Sequence, residues 1–117
     1  KEHIHLFGAF YGNEVVAGKI SLSYKSMMYD WYSGYDSRYS YLCANDVLTW
    51  NTLLWAKGAG LETYDMGGAG RPGKYYGVRN FKIRFGGRLE NTGRFMRVHK
   101  SLLYLAGSSF IHLRSKL

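Results

Sequence analysis

Two alternating runs meet at Gly12-Asn13, and that junction constrains the fold more than any other stretch of the chain. Residues 4–11 alternate weakly between apolar and polar. Residues 14–24 alternate clearly, with Val16, Ile20, Leu22 and Tyr24 on one face and Lys19, Ser21 and Ser23 on the other. A period of two marks a strand with one buried face. Glycine readily supplies the positive φ that a tight hairpin turn needs. The runs therefore predict an antiparallel pair, its apolar set facing the core and Lys19, Ser21 and Ser23 facing water. A turn near Lys25-Ser26 leads to a third strand over residues 27–33, completing a meander.

Residues 34–44 read as irregular. Asn45 or Asp46 is suited to cap a helix, because a short polar side chain can accept a hydrogen bond from the free N–H groups of the first turn. Val47, Trp50, Leu53 and Leu54 form its expected buried stripe, and Gly58 or Gly60 ends it. Residues 61–66 read as a short strand, which a helical crossover places parallel to the third. Gly67 to Lys74 is a loop. Residues 75–85 predict a short helix carrying Val78, Phe81, Lys82 and Phe85, broken by Gly86-Gly87. Residues 88–98 are strand-like with a kink at Gly93. Ser101 is suited to cap a last helix, with Leu102, Leu105, Ala106, Phe110 and Leu113 packing inward. The order is β-β-β-α-β-α-β-α. The fold class is α+β: a mixed sheet, antiparallel meander first and parallel strand after a helix, with flanking helices. Length allows one domain with one core, over residues 1–117.

Charge is distributed unevenly. Residues 1–70 hold five Lys/Arg and seven Asp/Glu, whereas residues 71–117 hold eleven Lys/Arg and the single acid Glu90. The second part carries a net +10, which points to an anionic partner such as nucleic acid, a phosphorylated ligand or a membrane surface. Eleven tyrosines suit strands and binding surfaces, where a ring packs while its hydroxyl stays wet. One cysteine, Cys43, permits no disulfide framework, which fits a reducing, cytoplasmic location. Cys43 itself reads as a small core residue. No apolar run is long enough for an integral membrane segment, and no signal-peptide pattern opens the chain. It starts at Lys1-Glu2-His3 without an initiator Met and is expected to be the C-terminal part of a larger two-domain protein.

Several residue groups are candidates for chemistry. Residues 68–73 spell GxGxxG after a strand, but Pro72 lies in the turn and the following segment is too short and basic for a dinucleotide fold. Loop amides around Gly68, with Arg71 and Lys74, are suited to touch a phosphate. His3, His5, His99 and His112 are scattered, and no metal site is expected. Lys82 lies between Phe81 and Phe85, two positions from Arg84. A lysine held against apolar surface is a point charge for an anion or a developing oxyanion, or else a solvated lysine on a helix face. Asp65 ends its strand beside glycines, either facing a ligand or capping the turn.

The chain resembles the Fem family through an ordered set of motifs. They are Tyr32-Ser33-Gly34-Tyr35-Asp36-Ser37, Asn45-Asp46-Val47-Leu48-Thr49-Trp50, Trp55-Ala56-Lys57, Tyr64-Asp65-Met66-Gly67-Gly68, and Phe81-Lys82 running to Phe85-Gly86-Gly87. These enzymes build peptidoglycan cross-bridges and have tandem domains similar to GNAT acyltransferases. The resemblance implies transfer of an aminoacyl group from aminoacyl-tRNA to an amine of a peptidoglycan precursor. It gives Lys82 the role of steadying the donor ester or the tetrahedral oxyanion, with Phe81 as its paired aromatic. Tyr35, Asp36 and Asp65 match motif positions that shape the cleft. The basic half agrees separately, because a tRNA acceptor end is a polyanion. Gly68, Arg71, Lys74 and Arg84 complete the expected substrate-binding set.

Acetyl-CoA-using GNAT enzymes carry an Arg/Gln-x-x-Gly-x-Gly/Ala turn. Residues 37–42 here read Ser-Arg-Tyr-Ser-Tyr-Leu and lack it. Two other readings stand beside the peptidyltransferase: an N-acyltransferase with a CoA-type donor, and a non-catalytic basic RNA-binding or assembly module. No tightly bound cofactor is expected, since aminoacyl-tRNA or acyl-CoA would be a co-substrate. The family's acceptor cleft needs the preceding N-terminal domain, and self-association through exposed apolar surface is also expected.

Overall fold

The computed structural model describes residues 3–93 and 95–114, apart from the side chains at 110, 112 and 113. Four strands form one mixed sheet in the order β1-β2-β3-β4. β1 (Ile4–Tyr11) and β2 (Glu14–Tyr24) are antiparallel and joined at Gly12, whose φ is 59°. Lys25, at φ 54°, turns the chain into β3 (Met27–Tyr35), antiparallel to β2. A 3-10 segment, Ser37–Leu42, leads to α1 (Ala44–Gly58). The chain returns as β4 (Thr63–Asp65), parallel to β3, and continues through α2 (Gly77–Ile83) and α3 (Ser101–Arg114). This is the expected α+β arrangement.

The faces of the sheet are exchanged relative to the expectation. α1 covers the side bearing Lys19 and Ser21, which are 2% and 0% exposed. Of the expected apolar face, Val16 is buried and Ile20 and Leu22 are half-buried, whereas Tyr24 is exposed, as are Ile4, Leu6 and Phe10 of β1. The helix stripe shifts to match. Leu48, Thr49, Thr52 and Ala56 are buried, while Val47, Trp50 and Leu54 are exposed. The reason is polar. The Lys19 ammonium needs acceptors, and only a helix face carrying Thr49 supplies one from above. Small residues at 52 and 56 also allow close approach. His5 joins the same layer: its ring lies 4.7 Å from Trp55, and its Nε2 pairs with the Ser23 hydroxyl at 2.8 Å.

The ends of α1 also differ in part. Cys43 occupies the N-cap position with left-handed φ/ψ and is exposed, so it is neither a core residue nor replaced as cap by Asn45 or Asp46. The C-terminus closes as expected at Gly60, φ 76°. Gly60 N–H donates to the Lys57 carbonyl at 3.1 Å and Leu61 N–H to the Ala56 carbonyl at 3.0 Å, which satisfies two carbonyls the helix leaves free.

Beyond α2 two expectations fail. Residues 88–93 and 95–98 form no strand, because Leu89, Phe95 and Met96 lie exposed and no sheet edge receives them. α3 forms, but Leu102, Leu105 and Ala106 face solvent rather than a core, Leu102 at 82%. Apolar residues on every side of this helix select no single buried face. The expected inward packing of Phe110 and Leu113 falls on side chains outside the described residues. A Cα radius of gyration of 18.0 Å, against about 13 Å for a compact domain of this length, reflects this extended end.

Lys19→Met is expected to lower stability by about 3–5 kcal/mol, because it strands the buried Asp30 carboxylate. Lys19→Met/Asp30→Leu should cost less than the single change. Urea unfolding of both variants checks this; an equal loss in each would show that the pair does not organise the layer.

Candidate active site

β3 and β4 pair only over Met27–Thr63 to Tyr29–Asp65. Past that point the chain after β4 veers away from β3. Asp65 starts the divergence by accepting the Gly67 N–H on Oδ1 at 2.7 Å. Gly67 completes it at φ 71°, and a Cβ there would lie 3.2 Å from the Asp30 carbonyl, so the position needs glycine. The result is a cleft between the free edge of β3 and α2. Its walls include Trp31, Tyr32 and Tyr35 on one side and Met66, Gly68, Val78, Phe81 and Lys82 on the other.

The floor of the cleft is a buried polar cluster. Lys19 Nζ donates to Asp30 Oδ2 at 2.7 Å and to the Thr49 hydroxyl at 3.1 Å. Tyr64 donates its phenol proton to Asp30 Oδ1 at 2.5 Å, and Ser21 donates to the same oxygen at 2.9 Å. Desolvation first, then the Asp30 carboxylate, pushes the Tyr64 phenol well above the ordinary tyrosine range, so it stays protonated.

The far wall is held by two cations one helical turn apart. Arg79 donates to the carbonyls of Ala69 at 2.8 Å, Lys74 at 3.0 Å and Arg71 at 2.5 Å. Lys82 donates to the carbonyls of Met66 and, at 2.8 Å, Gly68. The loop therefore turns these carbonyl groups toward α2. At Gly70, φ 74°, a Cβ would meet the Tyr76 ring at 2.7 Å, so glycine is required there as well. A lysine ammonium has three N–H donors; two of those on Lys82 are used on the loop, and one remains for the cleft. Burial pulls the Lys82 ammonium below the usual lysine range, an effect that Asp30 and Asp65 partly offset.

The structure brings Tyr35, Gly68, Phe81 and Lys82 together at the cleft. The other expected residues lie around it. Asp36 caps the 3-10 segment and pairs with Arg38 at 2.6 Å. Asp65 caps the Gly67 turn. Arg71 and Lys74 extend exposed side chains from the loop. Arg84 pairs with Asp46 at 3.1 Å and lies 5.5 Å over the Phe81 ring. Lys19, Asp30, Tyr64, Asn45 and Thr49 were absent from the sequence-based set. Lys19 and Asp30 were signalled only by a lone lysine in an alternating strand and a lone acid among Tyr29, Trp31 and Tyr32, whereas Asn45, Thr49 and Tyr64 lie within the quoted motifs without a role assigned to them. Among the described residues, no three His, Cys, Asp or Glu side chains converge as a metal site, and no helix is long and apolar enough to cross a membrane.

A mixed sheet whose parallel strand splays from its neighbour to open a cleft over a charged floor agrees with the family comparison. Residues 1–83 match the family model for an acetyltransferase (GNAT) domain, and the chain belongs to that family. It is a GNAT-like acyltransferase domain, and the matched residues end one position after Lys82. Comparison with curated proteins and with solved structures finds no match.

Arg79→Ala removes the donor that gathers three loop carbonyls. Limited proteolysis within residues 67–74 is expected to speed up at least ~10-fold, since a hydrogen bond to a charged group contributes about 1.5–3 kcal/mol. Unchanged cleavage would mean that Pro72 and the glycine turns hold the loop by themselves.

Proposed function

We propose that this domain moves an aminoacyl group from aminoacyl-tRNA to an amine of a peptidoglycan precursor. The observation that carries the reading is Lys82, a part-buried lysine that lines the cleft with two of its three donors engaged by loop carbonyls. Attack on the donor ester moves charge onto the carbonyl oxygen. A preorganised N–H in a water-poor site stabilises that charge more than it stabilises the neutral ground state, and this difference is what accelerates the step. Lys82 costs little to reorient, because two carbonyls already fix its ammonium. Phe81 and Tyr35 supply apolar and aromatic surface for the transferred group. Asp36 and Asp65 shape the cleft through the turns they cap.

The charge distribution favours the tRNA donor. Arg71 and Lys74 project from the loop that forms the cleft wall, and the +10 segment continues beyond it. Such a surface steers a polyanion and binds it with strong salt dependence. An acyl-CoA donor has less support: where a glycine-rich pyrophosphate turn would be needed, Ser37–Leu42 forms a 3-10 segment locked by Asp36 and Arg38.

Titration with alanyl-tRNA and, separately, acetyl-CoA decides between the donors. Salt-sensitive tRNA binding without a CoA response is expected; tight CoA binding with weak tRNA binding would establish the other donor. Lys82→Met should lower transfer about 100- to 1000-fold, the usual loss for one oxyanion donor. Near-normal turnover in that variant would sink the assignment.

The pH dependence has a fixed sign. Only protonated Lys82 offers an oxyanion a charged donor, and burial lowers its pKa. Transfer should therefore decline as pH rises, with a midpoint below the ordinary lysine value of about 10.4. Lys82→Arg, which stays charged, should lose that limb. An unchanged limb would assign it to another group.

A further inference from the structure

The cleft floor has spare acceptor capacity. Lys19 has three N–H donors, and all are engaged: by Asp30 Oδ2 at 2.7 Å, the Thr49 hydroxyl at 3.1 Å and the Tyr64 oxygen at 3.4 Å. Tyr64 spends its one proton on Asp30 Oδ1, and Ser21 donates to that oxygen too. A carboxylate offers roughly four acceptor positions. Three are filled, and the fourth lies on Asp30 Oδ2. Asp30 lines the cleft, with 12% of its side chain exposed. Asn45 Oδ1, from the cleft wall contributed by α1, is buried and accepts no hydrogen bond. The opposite wall presents the spare donor of Lys82. The cleft is thus polarised, with acceptors at the floor and a donor on the far wall.

We infer that Asp30 receives the acceptor amine and takes its proton during transfer, with Lys19 and Tyr64 as positioning residues. This rests on the acyltransfer reading above but does not depend on which donor is used. The open acceptor positions on the floor suit a group that brings N–H bonds; an aminoacyl donor has them on its α-amino group, but the nucleophilic amine brings them with either donor and is the group that must give up a proton. Lys19, Lys82 and partial desolvation disfavour the ammonium form whereas Asp30 favours it, and the amine attacks as its neutral form. The nitrogen then bonds to the donor carbonyl carbon while the carbonyl electron pair moves to oxygen beside Lys82. When the intermediate collapses, the C=O bond reforms and the bond to the donor's ester oxygen, or thioester sulfur, breaks. One proton leaves the nitrogen for Asp30 Oδ2 and passes to the departing atom, so the products are an amide and a free alcohol or thiol. The Lys19–Asp30 pair suits this task better than a purely structural one. Buried ion pairs are seldom net stabilisers compared with apolar packing, and this one borders the cleft.

The test compares two nucleophiles on the full chain, using alanyl-tRNA and acetyl-CoA as donors. One is the side-chain amine of Nα-acetyl-lysine amide, which must lose a proton. The other is hydroxylamine, whose nitrogen also sheds one proton on acylation but is so weakly basic that it is neutral at neutral pH and, once bonded to the carbonyl carbon, loses that proton to water without a base. In Asp30→Asn, transfer to the lysine amine should fall about 100-fold or more, the scale of a lost general base. Transfer to hydroxylamine, corrected for the uncatalysed reaction, should stay within a few-fold of wild type. Tyr64→Phe should show the same split with a smaller loss. If Asp30→Asn does not fold, Lys19→Met/Asp30→Asn removes both buried charges and should show the split in its place. Equal loss with both nucleophiles, or no loss with either, overturns the role of Asp30 while acyltransfer itself stands. A wild-type chain that transfers to neither nucleophile from either donor rejects the acyltransfer reading and this inference with it.

Discussion

A lysine ammonium with 2% of its surface exposed dictates much of this fold. Lys19 lies in the second strand, under the long helix, where an aliphatic residue would ordinarily sit. An unpaired charge there would be prohibitive. Asp30 must therefore face it from β3, Thr49 from α1 and Tyr64 from β4. Those three contacts tie together elements distant in sequence, and they fix which side of α1 looks down. The short parallel strand owes its position in part to a phenol that reaches the same carboxylate. The core consequently sets this polar layer among the buried apolar side chains of Val16, Ala17, Met28, Leu48 and Ala56.

That polar layer explains why the element order was legible and the packing was not. Gly12, the alternation in β2, the Gly60 stop and the crossover to β4 are local or topological signals, and each emerged where expected. The direction in which β2 faces is a tertiary property. Alternation tells that two faces differ, and hydrophobicity then assigns the apolar one to the core. Here Lys19 packs inward because its partners lie on three different elements, Asp30 on the next strand but Thr49 and Tyr64 30 and 45 residues away, and Ser21 follows through Asp30. The helix stripe erred for the same reason: Trp50 and Leu54 are the more apolar choice, but Thr49 answers a lysine. Residues 88–93 and 95–98 show the converse, a strand-like pattern that pairs with no edge of the sheet.

The site was legible where its chemistry is carried by short motifs. Phe81 and Lys82 stand out between glycine turns, and Gly67-Gly68 marks a sharp bend. Arg79 and Asp30 were not readable, since their roles depend on carbonyls and hydroxyls assembled across the fold. The loop from Met66 to Lys74 looked like a phosphate cradle because of its glycines. Its conformation turns several carbonyls onto Arg79 and Lys82, and its exposed Arg71 and Lys74 side chains add positive charge.

The short pairing of β4 has a consequence for solubility. From Asp30 onward, β3 keeps one margin of backbone N–H and C=O groups without a strand partner. On an open rim such a margin is a template for another chain and invites fibrillar stacking. Here α2 and the Arg79-anchored loop stand beside it like the second bank of a ditch. A neighbouring molecule cannot bring a whole sheet against it, and only a slender extended chain can enter. The geometry that holds a reactive group also shields the exposed ladder from edge-to-edge aggregation.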